Sequence, residues 1–505
     1  MFEKEPQSIF ALSTLWLFAV ITMILACGLG VRLYDLKDPP LDYASTRQLR
    51  SALIARGKYY QTARDVPEWK REIALKQGEH TLIEPTVMET IVAGTYWIVG
   101  GEYVWIARIY SSLFWVLGGL AVYALAREMI GVDGGIIGMT YYLFAPFGLI
   151  SSRSFQPDPL MTASIILAWW TFYRWHRAHT WKWAVLAGLS AGFAMFVKST
   201  AIFFLLGGMG ALVLLRTHIK NSLKDGQVWA IGLLSALPVL LYNIYGVFIV
   251  GSLGKQFKGR IFPQLLSDFQ FYQRLKNAMT TVAGHELILL VVIIGLLLIR
   301  KKEEIGYLVG IWIGYLVYIL AFSYHSTTHY YYHLPLIPLA AISIAGFSHF
   351  IFERVKSKLF DNLVRIGLVL ILLLGVGGGY YMLFNEDFGN VPYFFGKVTS
   401  KVEHDAKIVV LSQDYGLRIA YYGWIAPKAW LGTGDLEYSK LRGGTEDPFE
   451  EKFNQFVGNA DYFIVTWFNE LRKQEKLYDK LYNNYEIYEE GGGYVIFDLH
   501  QKLEQ

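Results

Sequence analysis

The stretch "EPTVMETIVAGTYWIVGG", residues 84–101, decides the topology of everything that follows it. It is apolar but short for a bilayer crossing, which takes about 20 predominantly apolar residues. Glu84 and Glu89 stand in its first turns. If it crossed fully, every later loop would change sides. If it lies in the interface or re-enters it, and the N-terminus is cytoplasmic, then loops 127–134, 175–182, 216–227, 300–304 and 353–363 all fall inside. Those are the short basic loops, among them "RTHIKNSLK" at 216–224 and "ERVKSK" at 353–358. The positive-inside rule requires that placement, so 84–101 is an interfacial or re-entrant helix.

Working outward, apolar runs at 8–32, 104–126, 135–151, 159–174, 183–197, 200–215, 228–250, 286–299, 305–323, 334–352 and 364–384 read as spans. Over the 505 residues only 17% are charged and 54% are hydrophobic, against about 25% charge in a soluble domain. The net charge of +4 gives nucleic-acid binding no support. The single cysteine, Cys27, lies in the first run and fits a small apolar filler; it excludes an intramolecular disulfide. The opening "MFEKEPQ" is mixed in charge and the run after it is too long for a signal-peptide core, so 8–32 is a retained span. "GVGGG" at 375–379 lies within the last span and reads as close helix packing.

The tail changes texture. "AKIVVLS", "DYFIVTW" and "GGYVIFDLH" read as strands, with helical stretches around 446–457 and 469–484. The expected fold is therefore a polytopic α-helical membrane protein of about 11 transmembrane helices, with interfacial helices in the first outer loop and a small C-terminal α/β extracytoplasmic domain. Its domains are 1–384, including the first outer loop 33–103, and 385–505. The tail reads equally as a substrate-handling module, a partner-docking module or a structural cap.

The outer segments collect the chemistry. Asp35, Asp38 and Asp42 open the first loop, and "TRQLRSALIARGKYY" at 46–60 has helical spacing. Arg47, Arg50, Arg56 and Lys58 there suit either a membrane-surface anionic ligand or a helix merely held by lipid headgroups, with Leu49, Leu53 and Ile54 expected to face the bilayer. In "ISSRSFQPDPL", 150–160, Asp158 follows Pro157 at the head of a span. It reads either as a carboxylate favoured by the helix dipole or, with Arg153, as part of a charged pocket. Lys198 lies between two spans and either snorkels or holds a phosphate. "YHSTTHYYYHLP", 324–335, offers His325, His329 and His333 at a spacing of four, with Tyr330, Tyr331 and Tyr332. Metal ligation, phosphate or sugar contact, and an interfacial aromatic belt all fit that loop. Lys255, Lys258, Arg260, Arg274 and Lys276 enrich 251–285 in cations where the positive-inside rule would not place them, which an anionic ligand would explain.

Carboxylates, cations and aromatics at one membrane face suit sugar transfer from a polyprenyl phosphate. The leaving lipid phosphate gains charge and needs cations, the acceptor hydroxyl needs a base, and aromatic rings stack on the sugar.

Five segments in order, "DPPLDYASTRQLRSALIAR", "IEPTVMETIVAGTYWIVGG", "SSRSFQPDPL", "GLSAGFAMFVKST" and "HYYYHLPLIPL", resemble the polyprenyl-phosphate-sugar glycosyltransferases of the GT-C fold. These include the lipid A aminoarabinose transferases and the protein O-mannosyltransferases. The resemblance runs over roughly 1–385. It implies that Asp42 acts on the acceptor, that Asp158 supports the site, and that the first-loop helices lie on the membrane surface. Where the family often has Lys-Pro-Pro-Leu this chain has Glu84, Pro85, Thr86 and Val87, which shifts the phosphate to Arg47, Arg50 or Lys198. The Trp-Trp-Asp-Xaa-Gly signature of oligosaccharyltransferases is absent from the tail.

The expectation is an inverting glycosyltransferase moving a sugar from a polyprenyl (undecaprenyl-type) monophosphate to an acceptor hydroxyl on a glycan, lipid or protein, at the outer face of the plasma or inner membrane. Asp42 and Asp158 are the catalytic candidates. Arg47, Arg50, Arg153, Lys198, His329 and Tyr331 are the donor phosphate or sugar contacts. No cofactor is required, although a divalent metal would fit. The alternatives are a lipid-linked sugar flippase and a glycan ligase.

Overall fold

The structure, a computed structural model, describes all residues except 1–7, 11–12, 64–65, 80–83, 217–218, 252, 254–259, 445–447 and 504–505. Lys255 and Lys258 therefore lie outside the described residues. The chain divides into two compact units: Met1–Leu36 with Leu82–Met88 and Trp105–Glu386, and Lys37–Thr81 with Glu89–Val104 and Asp387–Gln505. Most of the first loop thus groups with the tail rather than with the spans, a division that differs from the 384/385 border drawn from the sequence. The physical reason is burial, described below for Arg56.

In the first unit every apolar run is helical. Among the described residues, seven helices are long and apolar enough to cross a membrane, or up to eight if a bent pair counts as one span. Phe269–Ala283 and Glu286–Leu298 form that pair, bent by 86° at Gly284, whose φ of 102° suits glycine. The runs outside this set are the 13-residue Val132–Phe144, followed by Pro146–Ser151, the 17-residue Trp181–Val197, and the 21-residue Asp158–Ala178 with Asp158, Arg174 and Arg177 at its ends. Val87–Val99 has 13 residues, fewer than a crossing needs.

Leu233, Leu237, Leu240 and Leu241 of Gly226–Ile244 are exposed, as are Leu363, Ile366, Leu370 and Leu374 of Lys358–Asn385. So much continuous apolar surface needs hydrocarbon as its solvent. The chain is a multi-pass membrane protein. Its helices meet through glycine. A Cβ on Gly207 would stand 2.2 Å from the Gly310 carbonyl oxygen, and one on Gly310 would stand 2.4 Å from that of Gly207, so Ile202–Arg216 and Lys302–Ala321 approach backbone to backbone. In "GVGGG", Gly375 packs on Phe144 and Gly379 on Val31, whereas Gly377 and Gly378 face open space.

In the second unit a five-stranded sheet has the order β2-β1-β3-β5-β4, with β1 Ile408–Leu411, β2 Lys428–Ala429, β3 Tyr462–Val465, β4 Tyr485–Gly491 and β5 Tyr494–Lys502. The pairs β1–β2 and β1–β3 are parallel, and β3–β5 and β4–β5 antiparallel. Side chains alternate between faces along a strand. Val409, Leu411, Phe463 and Phe497 pack on one side with Phe453, Leu477 and Leu481 of the helices Phe449–Val457 and Glu475–Asn484. Ile408, Val410, Ile464 and Ile496 pack on the other with Phe395, Val398 and Ile419. Both faces are covered, which is why "IVVL" reads as one unbroken apolar run.

Glu470 ties this domain together. It is 2% exposed, takes the Thr433 backbone N–H at 2.5 Å and the Gln474 side-chain amide at 3.2 Å, and pairs with Lys473 at 3.4 Å. Burial alone would raise its carboxyl; the Thr433 and Gln474 hydrogen bonds and Lys473 outweigh it and hold the group below the usual glutamate range. A depressed acid contributes stability that is complete above the unfolded pKa of about 4.3 and is lost as pH falls through the lower folded value. Thermal unfolding followed across that window is expected to show falling stability for the native chain and a flatter acid limb for Glu470→Gln.

Candidate active site

The best-formed charged cluster of the first unit is built on a break between two helices. Trp181–Val197 ends, Lys198 takes an extended conformation (φ −156°, ψ 117°), and a 3-10 turn, Ser199–Ala201, leads into Ile202–Arg216. That single extended residue turns the Lys198 side chain onto Asp158, the first residue of Asp158–Ala178. The ammonium stands 2.8 Å from Asp158 Oδ1 and 3.7 Å from Glu84 Oε1. Lys198 is 5% exposed and Asp158 1%. The second oxygen, Oδ2, is buried without a hydrogen-bond partner. A buried charged pair with one unsatisfied oxygen is costly in a low-dielectric setting, which makes it the candidate site of this unit.

The aromatic loop closes over this pair. Lys198 Nζ lies 5.2 Å from the Tyr331 ring centroid and 5.4 Å from that of Tyr332. Tyr331 meets His329 edge-on at 5.5 Å, and His325 stacks on Tyr332 at 5.4 Å. A cavity of about 50 Å³ opens beside Lys198 and is lined also by Glu84, Asn243, Arg260 and Tyr332. At roughly 10–15 Å³ of such volume per water, it has room for a phosphate-sized anion.

Several sequence expectations change here. Asp158 pairs with Lys198, not Arg153; Arg153 is 1% exposed and donates from Nη2 to the Asp35 carbonyl at 2.7 Å. It ties that loop down beside Arg108, which donates to the same oxygen at 2.9 Å. The three histidines do not share a face. The helix Ser323–Thr328 ends and a 3-10 turn, Tyr330–His333, follows, turning His333 inward between the Tyr315 hydroxyl and the Ser326 carbonyl, each at 2.6 Å. Among the described residues no group of three His, Cys, Asp or Glu side chains is arranged to hold a metal. Of the cations of 251–285, Arg274 pairs with Asp268 at 3.2 Å and Lys276 with Glu286 at 2.8 Å, so local carboxylates account for both. Arg260 remains at the cavity. Glu84 and Tyr332 were not singled out by sequence reasoning as site residues, because nothing local to them points to Lys198.

Asp42, Arg47 and Arg50 belong to the second unit and are half-buried. Gln48 donates to Asp42 Oδ1 at 3.1 Å and to the Tyr43 carbonyl at 2.6 Å. Ala44, between Asp42 and the helix Ser45–Tyr60, has φ 43° and ψ 50°, a left-handed conformation that costs a residue with a Cβ of the order of 1 kcal/mol or more. The tail holds this turn. The Ser45 and Thr46 hydroxyls donate to Asp414 Oδ1 at 2.6 and 2.8 Å, and Arg418 donates to Oδ2.

The helix itself is enclosed by protein. Leu49 and Leu53 are fully buried and Ile54 is 8% exposed, so the face expected to meet lipid is covered. Arg56 is closed in as well: it pairs with Glu102 at 3.1 Å, donates to the Tyr421 carbonyl at 2.9 Å, and lies 4.0 and 3.9 Å from the Tyr421 and Trp424 rings. Burial would lower its pKa, but Glu102 and Tyr421 raise it, so it stays charged. These contacts, not surface anions, take Arg56.

Asp414→Ala removes two hydrogen bonds from the Asp42 turn and the Arg418 ion pair within the tail, at about 1.5–3 kcal/mol for each bond to a charged acceptor. It is expected to lower the unfolding midpoint of the native chain and to reduce turnover more than substrate affinity. A variant with native turnover would leave Asp414 a purely structural tie.

Comparison with known proteins gives the fold a name. Residues 84–242 match the family described as dolichyl-phosphate-mannose-protein mannosyltransferase. No curated protein sequence gives a significant match. Among solved structures, ArnT from Cupriavidus metallidurans bound to undecaprenyl phosphate superposes with a TM-score of 0.60 at 13% identity, covering 96% of this chain and 98% of that one. Its apo state gives 0.56 at 12% identity, with the same coverage. The archaeal oligosaccharyltransferase AglB from Archaeoglobus fulgidus, in complex with an inhibitory peptide and a dolichol-phosphate, gives 0.55 at 13% identity over 95% of this chain and 74% of that one. The chain has the GT-C membrane fold of these proteins.

Proposed function

We propose that this GT-C chain is an inverting glycosyltransferase that takes a sugar from a polyprenyl monophosphate and delivers it to an acceptor hydroxyl. The observation that carries the reading is the buried Lys198–Asp158 pair beside Glu84, Tyr331 and a phosphate-sized cavity reached by Arg260.

The chemistry follows from charge. As the anomeric C–O bond to the lipid phosphate breaks, the bridging electron pair goes to the phosphate. Lys198 and Arg260 stabilise that growing charge, which is worth most in a site with little water. Asp158 holds the Lys198 ammonium in place. Tyr331 and His329 contact the sugar. Asp42 takes the acceptor hydroxyl proton as the acceptor oxygen bonds the anomeric carbon from the opposite side, which inverts its configuration. The strained turn at Ala44 supports a functional role for Asp42. Arg47 and Arg50 bind the acceptor or the donor phosphate. The reaction runs at the outer face of the plasma or inner membrane, with the N-terminus cytoplasmic and the tail extracytoplasmic, since that orientation keeps the basic loops inside. No metal is assigned a step.

The test is reconstitution in liposomes with polyprenyl-phosphate sugars and an extract of cell-envelope acceptors, followed by mass spectrometry. A new glycosidic bond with inverted anomeric configuration is the expected result. Donor that crosses the bilayer without any new bond would make the protein a flippase instead.

A further inference from the structure

The second unit contains a larger cavity that the proposed reaction does not use. It has a volume of about 520 Å³, within the range of small-molecule sites, roughly 300–1,000 Å³. Lys440, Lys452, Lys473 and Lys476 line it. They come from three separate helical elements: Lys440 from the last turn of Thr433–Leu441, Lys452 from Phe449–Val457, and Lys473 and Lys476 from the approach to and first turn of Glu475–Asn484. Glu475 lines it too, and Glu470 pairs with Lys473 at 3.4 Å, so among the described residues cations still outnumber carboxylates at the wall. A concave wall with an excess of one sign focuses the field and concentrates an oppositely charged ligand.

The remaining lining is aromatic and hydrogen-bonding. Trp430 forms the floor at 3% exposure, fixed by its indole N–H on Gln474 Oε1 at 2.8 Å. Phe449 and Phe456 lie 6.4 and 5.2 Å from it, centroid to centroid, and Lys452 stands over its ring at 5.3 Å. Thr433, Ser439 and Gln455 add hydroxyl and amide groups at the wall. Gln474 is itself held, donating to the Leu431 carbonyl at 3.1 Å and to Glu470 at 3.2 Å, so the floor is pre-organised.

Aromatic rings take the C–H faces of sugars, hydroxyl and amide groups take their hydroxyls, and ammonium groups take an acid substituent. Lysine is a point charge without the planar fork that selects one anion geometry, so a carboxylate and a phosphate suit it equally. We infer that this cavity of the tail domain binds an anionic saccharide, a sugar unit carrying a carboxylate or a phosphate. The inference stands on the tail domain alone and does not depend on the reaction proposed above.

Calorimetric titration of the purified full chain in detergent tests it with four probes: a galacturonate trisaccharide, glucose 6-phosphate, neutral maltotriose and inorganic phosphate. The expected result is that at least one of the two acidic sugars binds about tenfold or more tightly than both maltotriose and inorganic phosphate, and that added salt weakens it. Which of the two binds identifies the acid group. The charge-reversal variant Lys440→Glu/Lys476→Glu changes two exposed side chains, keeps the native unfolding midpoint, and loses about tenfold or more of that affinity. Maltotriose or free phosphate binding as well as the acidic sugars, affinity unchanged in the variant, or no binding by either acidic sugar would each overturn the inference.

Discussion

Asp42→Asn is expected to abolish sugar transfer and to leave expression and thermal unfolding at native values. The substitution keeps the size of the side chain and one oxygen that can still accept from Gln48, whose amide also holds the Tyr43 carbonyl. The turn at Ala44 and the Asp414 clamp on Ser45 and Thr46 are untouched. What disappears is the capacity to take a proton. A positioned general base contributes roughly 10²–10⁴-fold, so the loss belongs in turnover and not in donor affinity. Initial rates at saturating donor, measured beside a melting curve, separate the two. Native turnover in this variant would remove Asp42 from the mechanism.

Lys198→Met has the second large effect, on stability and activity together. It leaves the Asp158 carboxylate 1% exposed with its Lys198 ion-pair partner gone and Oδ2 already unsatisfied. Breaking a buried pair from one side costs about 3–5 kcal/mol, whereas replacing both partners by apolar groups is often neutral. Lys198→Met should therefore lower the unfolding midpoint markedly, and Lys198→Met/Asp158→Leu should recover much of it. Transfer stays absent in both if Lys198 holds the donor phosphate. Recovery of activity together with stability in the double variant would make the pair a structural tie only.

Much of the architecture is legible in the chain because each apolar run has to find a non-aqueous neighbour. The runs from 8–32 to 364–384 all become helices, and "IVVL", "YFIV" and "YVIFDLH" become the central strands of the tail. Periodicity states that a face is covered; it does not state by what. Leu49, Leu53 and Ile54 have the spacing of a lipid-facing stripe and are enclosed by protein. Arg56 has the position of a headgroup contact and is taken by Glu102, from the far end of the first loop. Partner choice is the part hidden from a linear reading. Asp158 and Arg153 are five residues apart and invite pairing, yet the 40-residue separation to Lys198 closes instead, because the extended Lys198 backbone aims its side chain there. The three histidines keep their spacing only on paper, since a change from α to 3-10 geometry at 329–330 rotates His333 out of line.

In the proposed reaction a polyprenyl phosphate lodges its head group against Lys198. Native mass spectrometry of the detergent-purified chain, titrated with undecaprenyl phosphate and with undecaprenol, measures this directly. The expected result is one phosphate lipid bound per chain, undecaprenol bound about tenfold or more weakly, and the preference for the phosphate lost in Lys198→Met/Asp158→Leu. Equal retention of the two lipids by the native chain, or an undiminished phosphate preference in the double variant, would contradict it.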